Sequence, residues 1–141
     1  MNELCAGLLV YRQADGRFQF LLSHPANNKR DIYAIPKGHL ERSESKLVAA
    51  LRETLEETGV KAKPVAELPS IIYSLKSGNT KTVTFFLAEY ISGVDKNGNA
   101  TKHDDENDVV KFFDVDALPA IFNTQKPVIE NAKKFLAKKI E

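Results

Sequence analysis

The sequence predicts an α/β fold. Three features carry that prediction: short runs rich in β-branched and aromatic residues on both sides of the middle, one sharply punctuated helix between them, and an amphipathic tail. At 141 residues the chain suits a single domain spanning 1–141, large enough to bury a core without disulfides or a structural metal.

The elements follow in order. Residues 5–12, CAGLLVYR, and 18–22, FQFLL, are apolar runs separated by QADGR, whose Asp15-Gly16 pair signals a hairpin turn. The polar segment SHPANNKRD then leads through Tyr33-Ala34-Ile35 and Pro36-Lys37-Gly38 into a loop ending near Ser43. A helix is predicted from about Glu44 to Thr58, with Ser43 or Ser45 as its N-cap and Gly59 placed to stop it in the left-handed conformation. VKAKPVAELPSIIYSL reads as one or two broken strands, KSGNT (76–80) as a turn, and KTVTFFLAEYI (81–91) as a buried strand. A long polar loop, 92–108, precedes a strand at 109–115. From Pro127 the pattern is an amphipathic helix, with Val128, Ala132, Phe135, Leu136 and Ile140 on one side and Lys133, Lys134, Lys138 and Lys139 on the remainder, a solvated face.

Composition narrows the function classes. Charged residues make up 28% of the chain and the net charge is +1, so nothing favours nucleic acid as a global partner. One cysteine, Cys5, lies in an apolar run and reads as a buried core thiol; it has no partner for a disulfide within the chain. The N-terminus lacks a secretory pattern and no apolar stretch is long enough to span a membrane, so the expected compartment is the cytoplasm, with no membrane partner. The oligomeric state is open, and a monomer is compatible with the sequence.

The informative stretch is IPKGHLERSESKLVAALRETLEETGV, residues 35–60. At 100° per residue, Leu47, Ala50, Leu51, Thr54 and Leu55 share one arc, while Glu53, Glu56 and Glu57 occupy the opposite one. Each like-charge pair at this spacing costs roughly 0.2–0.5 kcal/mol, and acids near a helix C-terminus also oppose its dipole. Arg52 is the one obvious counter-charge nearby. A hard divalent cation, Mg²⁺ or Mn²⁺, resolves the conflict, because it prefers oxygen ligands and is commonly shared between carboxylates and the phosphates of a substrate. Such a site neutralises substrate charge and activates water for attack on a phosphoric anhydride. Gly38 lets the loop backbone come close enough for its carbonyl to join the ligands.

Gly38, five residues, Glu44, seven residues, then Arg52-Glu53-Thr54-Leu55-Glu56-Glu57-Thr58-Gly59-Val60 resembles the signature of the Nudix hydrolases, which cleave nucleoside diphosphates linked to another moiety. Thr54 departs from it where the family has an aliphatic residue, and Arg42-Ser43 stands in place of a common Pro-Gly. The resemblance implies a mixed β-sheet sandwiched between α-helices, with the box at 38–60 forming a loop-helix-loop that binds divalent ions. Carried onto this sequence, it makes Glu53, Glu56 and Glu57 metal ligands, Glu53 a residue that orients or deprotonates water, Arg52 a brace for the carboxylates, and Glu44 a fixer of loop and helix geometry.

AGLLVYR, LLSHP, IPKGHLE, AALRETLEETG and KTVTFFLAE together resemble the branch that includes the asymmetrical diadenosine tetraphosphate hydrolases. That likeness implies that Glu106 reaches the metal site from the long loop, with Asp104 or Asp105 as alternatives. Lys81, and as a second possibility Lys37, would contact the polyphosphate, and Tyr73 would stack on a nucleobase. Tyr33 stands where related sequences often have Trp. One of Phe85 and Phe86 is expected in the core, and His24, His39 and His103 form no metal-ligand cluster. The expected activity is cleavage of a dinucleoside polyphosphate by water. Nucleoside triphosphates, RNA 5′ ends and diphosphoinositol polyphosphates are alternative substrates, and a non-catalytic nucleotide sensor is the alternative of another class.

Overall fold

A computed structural model describes residues 1–97, 99–100 and 107–139. Two long strands form the spine. β1 (Asn2–Ala14) runs parallel to β7 (Thr80–Ser92) from Asn2↔Thr80 to Tyr11↔Glu89. At its far end β1 turns into β2 (Arg17–Pro25) through Asp15 and Gly16, both at positive φ (53° and 77°), the conformation a two-residue hairpin turn requires. Beyond β2 lies β8 (Asn107–Asp114), and on the other flank of β7 lie β5 (Lys61–Glu67) and β6 (Ile71–Ser74), all antiparallel to their neighbours. The sheet is therefore mixed, in the order β5-β7-β1-β2-β8, with β6 and the short β4 (Lys37–His39) joined to β7 and β1.

Alternation along β1 sorts the core into two layers. Cys5, Leu9 and Tyr11 face a cluster containing Val83, Phe85 and Leu87 and covered by Val128, Ala132 and Leu136 of helix α2 (Lys126–Lys139). Ala6, Leu8 and Val10 face the opposite cluster, covered by Ala49 and Ala50 of helix α1 (Lys46–Thr58). The sheet is thus sandwiched between helices. The Cys5 thiol is buried, and burial pushes its pKa up. Among the described residues no helix is long and apolar enough to cross a membrane.

The sequence pattern located every long element but not every boundary. β1 begins at Asn2 rather than residue 5, because the parallel ladder to Thr80–Thr82 recruits polar residues that hydrophobicity does not mark. β8 likewise starts at Asn107. Of the two serines, Ser45 is the cap: its Oγ accepts from Val48 N at 3.1 Å, and Gly59 closes the helix at φ 75°. A small parallel pair, β3 (Ile32–Tyr33) with β9 (Ala120–Ile121), followed by a 3₁₀ turn at Asn123–Gln125, was not signalled by periodicity. Ile140, His103, Asp104, Asp105 and Glu106 lie outside the described residues.

One expectation is corrected. The buried side of α1 carries Ala49, Ala50, Thr54, Glu57 and Thr58, whereas Leu55 is 41% exposed and Glu57 only 5%. Two adjacent alanines let the helix lie close on β1, which turns the acidic Glu57 inward and leaves the leucine outside.

Candidate functional site

The site forms where β1 changes partners. Residues 11–14 of β1 pair with β2, whereas Cys5, Ala6 and Gly7 pair with His39, Gly38 and Lys37 of β4. The segment between them crosses the gap: Ala34 exchanges backbone hydrogen bonds with Ser23 of β2 (2.8 and 2.9 Å), and Leu8 N donates to Pro36 O at 3.1 Å. Splaying the sheet in this way opens space beside Lys37 and Gly38, against the inner side of α1.

Gly38 has no side chain because Glu53 takes the room. A Cβ at position 38 would overlap all three atoms of the Glu53 carboxylate. The glycine is required here for close approach, so a backbone carbonyl region and a carboxylate form one wall.

Arg52 organises the acids around it. Its guanidinium makes a two-point bond to Glu44 (Nε to Oε2 2.6 Å, Nη2 to Oε1 2.9 Å), donates to Glu53 Oε1 at 2.9 Å and to His39 O at 3.1 Å, and reaches Glu56 Oε2 at 3.3 Å. Glu44 in turn accepts from the Glu41 N–H at 2.9 Å, which ties the loop back onto itself. The Arg52 hydrogen bonds, with that backbone bond, hold the Glu44 carboxyl down at about 2. Glu44 raises the Arg52 pKa in return. The local repulsion inferred from spacing is therefore offset by one cation more fully than the sequence suggests.

The three box glutamates point to different places. Glu53 lines a groove with Cys5, Lys37, Gly38, His39 and Lys81. Glu56 is exposed beside Arg52. Glu57 faces a separate cavity of about 380 Å³ whose walls include Lys37, Tyr73, Asn107, Phe122 and Gln125. Lys37 borders both spaces, so it is the hinge between a charged groove and a partly aromatic hollow. Lys81 and Tyr73 are register partners on β7 and β6, and Lys81 also stands opposite Glu3 of β1. His39 contacts Glu3 at 2.9 Å, which with Lys81 nearby holds the Glu3 carboxyl below its usual range. Burial pushes the Tyr73 hydroxyl up.

Of the residues singled out from sequence, Lys37, Gly38, Glu53, Glu57, Tyr73 and Lys81 line these two adjoining spaces, whereas Arg52 and Glu56 stand next to Glu53 without lining either; Glu106 is outside the described residues. Among the described residues no three Asp, Glu, His or Cys side chains converge on one point where an ion would sit. The donor chemistry does suit a hard divalent cation: carboxylate oxygens only, one of them pressed against the Gly38 backbone. Sequence reasoning missed the buried Gln125 and Asn107 and the half-buried Phe122, which no motif or periodicity marks. His24 proves structural, clamped between Asp108 Oδ1 and Arg30 O at 2.7 Å each, which raises its pKa.

A family model described as a NUDIX domain matches residues 1–138. The asymmetrical bis(5′-nucleosyl)-tetraphosphatase of Caenorhabditis elegans is 31% identical over 90 residues, which cover 60% of this chain and 62% of that enzyme. An ADP-ribose pyrophosphatase of Bacillus subtilis is 30% identical over 105 residues, 74% of this chain and 54% of that protein. The chain thus spans between about half and two thirds of the length of these curated relatives. Among solved structures, a binary complex of a C. elegans Ap4A hydrolase superposes with a TM-score of 0.75 at 23% identity, covering 96% of this chain and 98% of that one; this likeness speaks for the fold.

Proposed function

The chain belongs to the Nudix hydrolase family, and from that premise we propose that it is a metal-dependent pyrophosphohydrolase of dinucleoside polyphosphates, cleaving diadenosine tetraphosphate to ATP and AMP. The observation that carries this reading is the position of Lys37 on the boundary between the Glu53 groove and the Tyr73 cavity. A ligand with a base at one end and a run of phosphates at the other would fill the two spaces in sequence. The tetraphosphatase relatives support the substrate class.

In this reading Tyr73 stacks on a base, while Lys37 and Lys81 place point charges along the phosphates. Glu53, Glu56 and Glu57, the Gly38 carbonyl and Glu106 would hold Mg²⁺ or Mn²⁺. When bound, the cation supplies charge neutralisation at the phosphoryl oxygens and lowers the pKa of water. Glu53 orients the attacking water and takes its proton; the water oxygen bonds to phosphorus as the anhydride P–O bond breaks, and the leaving nucleotide carries away the electron pair. Arg52 keeps Glu53 and Glu56 in place through the bonds it makes to both. The cytoplasm, where a single unpaired thiol stays reduced, is the matching compartment.

The test is a substrate panel with Mg²⁺: dinucleoside polyphosphates, nucleoside triphosphates, ADP-ribose, triphosphorylated RNA and inositol pyrophosphates, with products identified. Diadenosine tetraphosphate should be turned over with the highest kcat/KM, giving ATP and AMP. Preference for another member would replace the substrate, and no turnover of any would replace the hydrolase by a nucleotide sensor.

A further inference from the structure

Gln125 is 2% exposed and lines the Tyr73 cavity. Its Oε1 accepts from the backbone N–H of Ile35 at 2.8 Å, and Ile35 is itself 1% exposed. A peptide N–H can only donate, so this bond fixes which end of the amide is oxygen: turning the group over would set N–H against N–H and strand a buried donor. The end left for the cavity is Nε2, with two protons to give and, among the described residues, no acceptor for them. Nor is that nitrogen sealed in protein; the one enclosed side-chain polar atom without a partner among the described residues is Thr54 Oγ1. A buried amide held by the backbone so that only donors face a cavity of ligand size is a built recognition element.

We propose that Gln125 determines base specificity, its Nε2 donating to N1 of adenine bound in the cavity. The assignment deepens the hydrolase reading and rests on it for the choice of base. A donor-only amide accepts an edge bearing a lone pair and rejects one bearing its own N–H; both purines offer lone pairs at N3 and N7, so the discriminating contact is N1, which is an acceptor in adenine and carries a proton in guanine. Stacking on Tyr73 is indifferent to the identity of the base; the amide is not.

The experiment uses AMP and its 1-deaza, 3-deaza and 7-deaza analogues, each replacing one ring nitrogen by C–H, titrated calorimetrically into the wild-type protein. The 1-deaza analogue should bind about tenfold more weakly than AMP and the other two like AMP. Gln125→Glu keeps an acceptor for Ile35 N–H and removes the donors, and it should bind AMP and the sensitive analogue alike. Equal binding of all four by the wild type, a loss confined to the 3-deaza or 7-deaza analogue, absence of AMP binding, or an unchanged ratio in Gln125→Glu would each overturn the proposal. Where Gln125→Glu does not fold, Gln125→Met, which also lacks the donors, is read in the same way. The substrate panel is independent: an analogue-sensitive protein that hydrolyses nothing keeps the base contact and loses the hydrolase, and the converse loses the contact alone.

Discussion

The carboxylate of Glu53 occupies the volume that a side chain on residue 38 would fill. Two residues of the box, on a strand and on a helix, are therefore fitted to each other by the absence of a methyl group. In Gly38→Ala the flexible end of Glu53 swings away, which costs little stability but moves the residue assigned to water. Turnover should fall about a hundredfold, with thermal unfolding nearly unchanged. Wild-type kcat in this variant would show that the position of Glu53 is irrelevant to the reaction.

The Arg52–Glu44 pair predicts an acid-labile component of stability. Glu44 is held at about 2 in the folded chain against a usual value of 4.5. Its contribution is complete above 4.5, where the group is ionised folded or unfolded, and is lost as pH falls toward 2, because over that window the unfolded state binds the extra proton. Melting temperature measured from pH 6 to pH 2 should decline less steeply for Glu44→Gln than for the wild type. Parallel curves would mean that the guanidinium contact adds nothing in solution.

Thr54 carries a hydroxyl that is enclosed without a partner, at the position where the family motif has an aliphatic residue. Thr54→Val keeps the shape and removes the unsatisfied group, so unfolding should become about 1 kcal/mol less favourable. Chemical denaturation monitored by circular dichroism reads this directly. A destabilised valine variant would imply that the hydroxyl has an acceptor after all.

Ser43 sits at φ 63°, a region where L-residues other than glycine are strained. The Arg42-Ser43 departure thus keeps the left-handed turn of a Pro-Gly sequence without its glycine. Ser43→Gly should gain up to about 1 kcal/mol, since relief of strain exceeds the added freedom of the unfolded chain. The gain should appear in the denaturation midpoint with kcat unaltered.

The elements legible in the sequence were those whose signal is local. Asp15-Gly16, Ser45 and Gly59 each act within a few residues, so turn, cap and stop could be read directly. Spacing also collected Gly38, Glu53, Glu56, Glu57 and Arg52. It misjudged the inner face of α1, because the helix is oriented by how closely Ala49 and Ala50 approach β1 and not by where its leucines fall. Nor could it find Gln125, whose side chain is oriented by a hydrogen bond from the backbone N–H of Ile35, 90 positions earlier in the chain. The branching of Arg52 to five partners is equally a tertiary fact: sequence distance offers Glu53 and Glu56, while the loop delivers Glu41, Glu44 and the His39 carbonyl.

The parallel pairing of β1 with β7 has a consequence for assembly. Asn2 meets Thr80 across 78 positions, so β1 gains this neighbour only after a long loop has closed, a non-local pairing that slows folding. Until β7 docks, the layer beneath Ala49 and Ala50 lacks Ala88. The layer that α1 covers is therefore complete only late in folding, because it draws on both long strands.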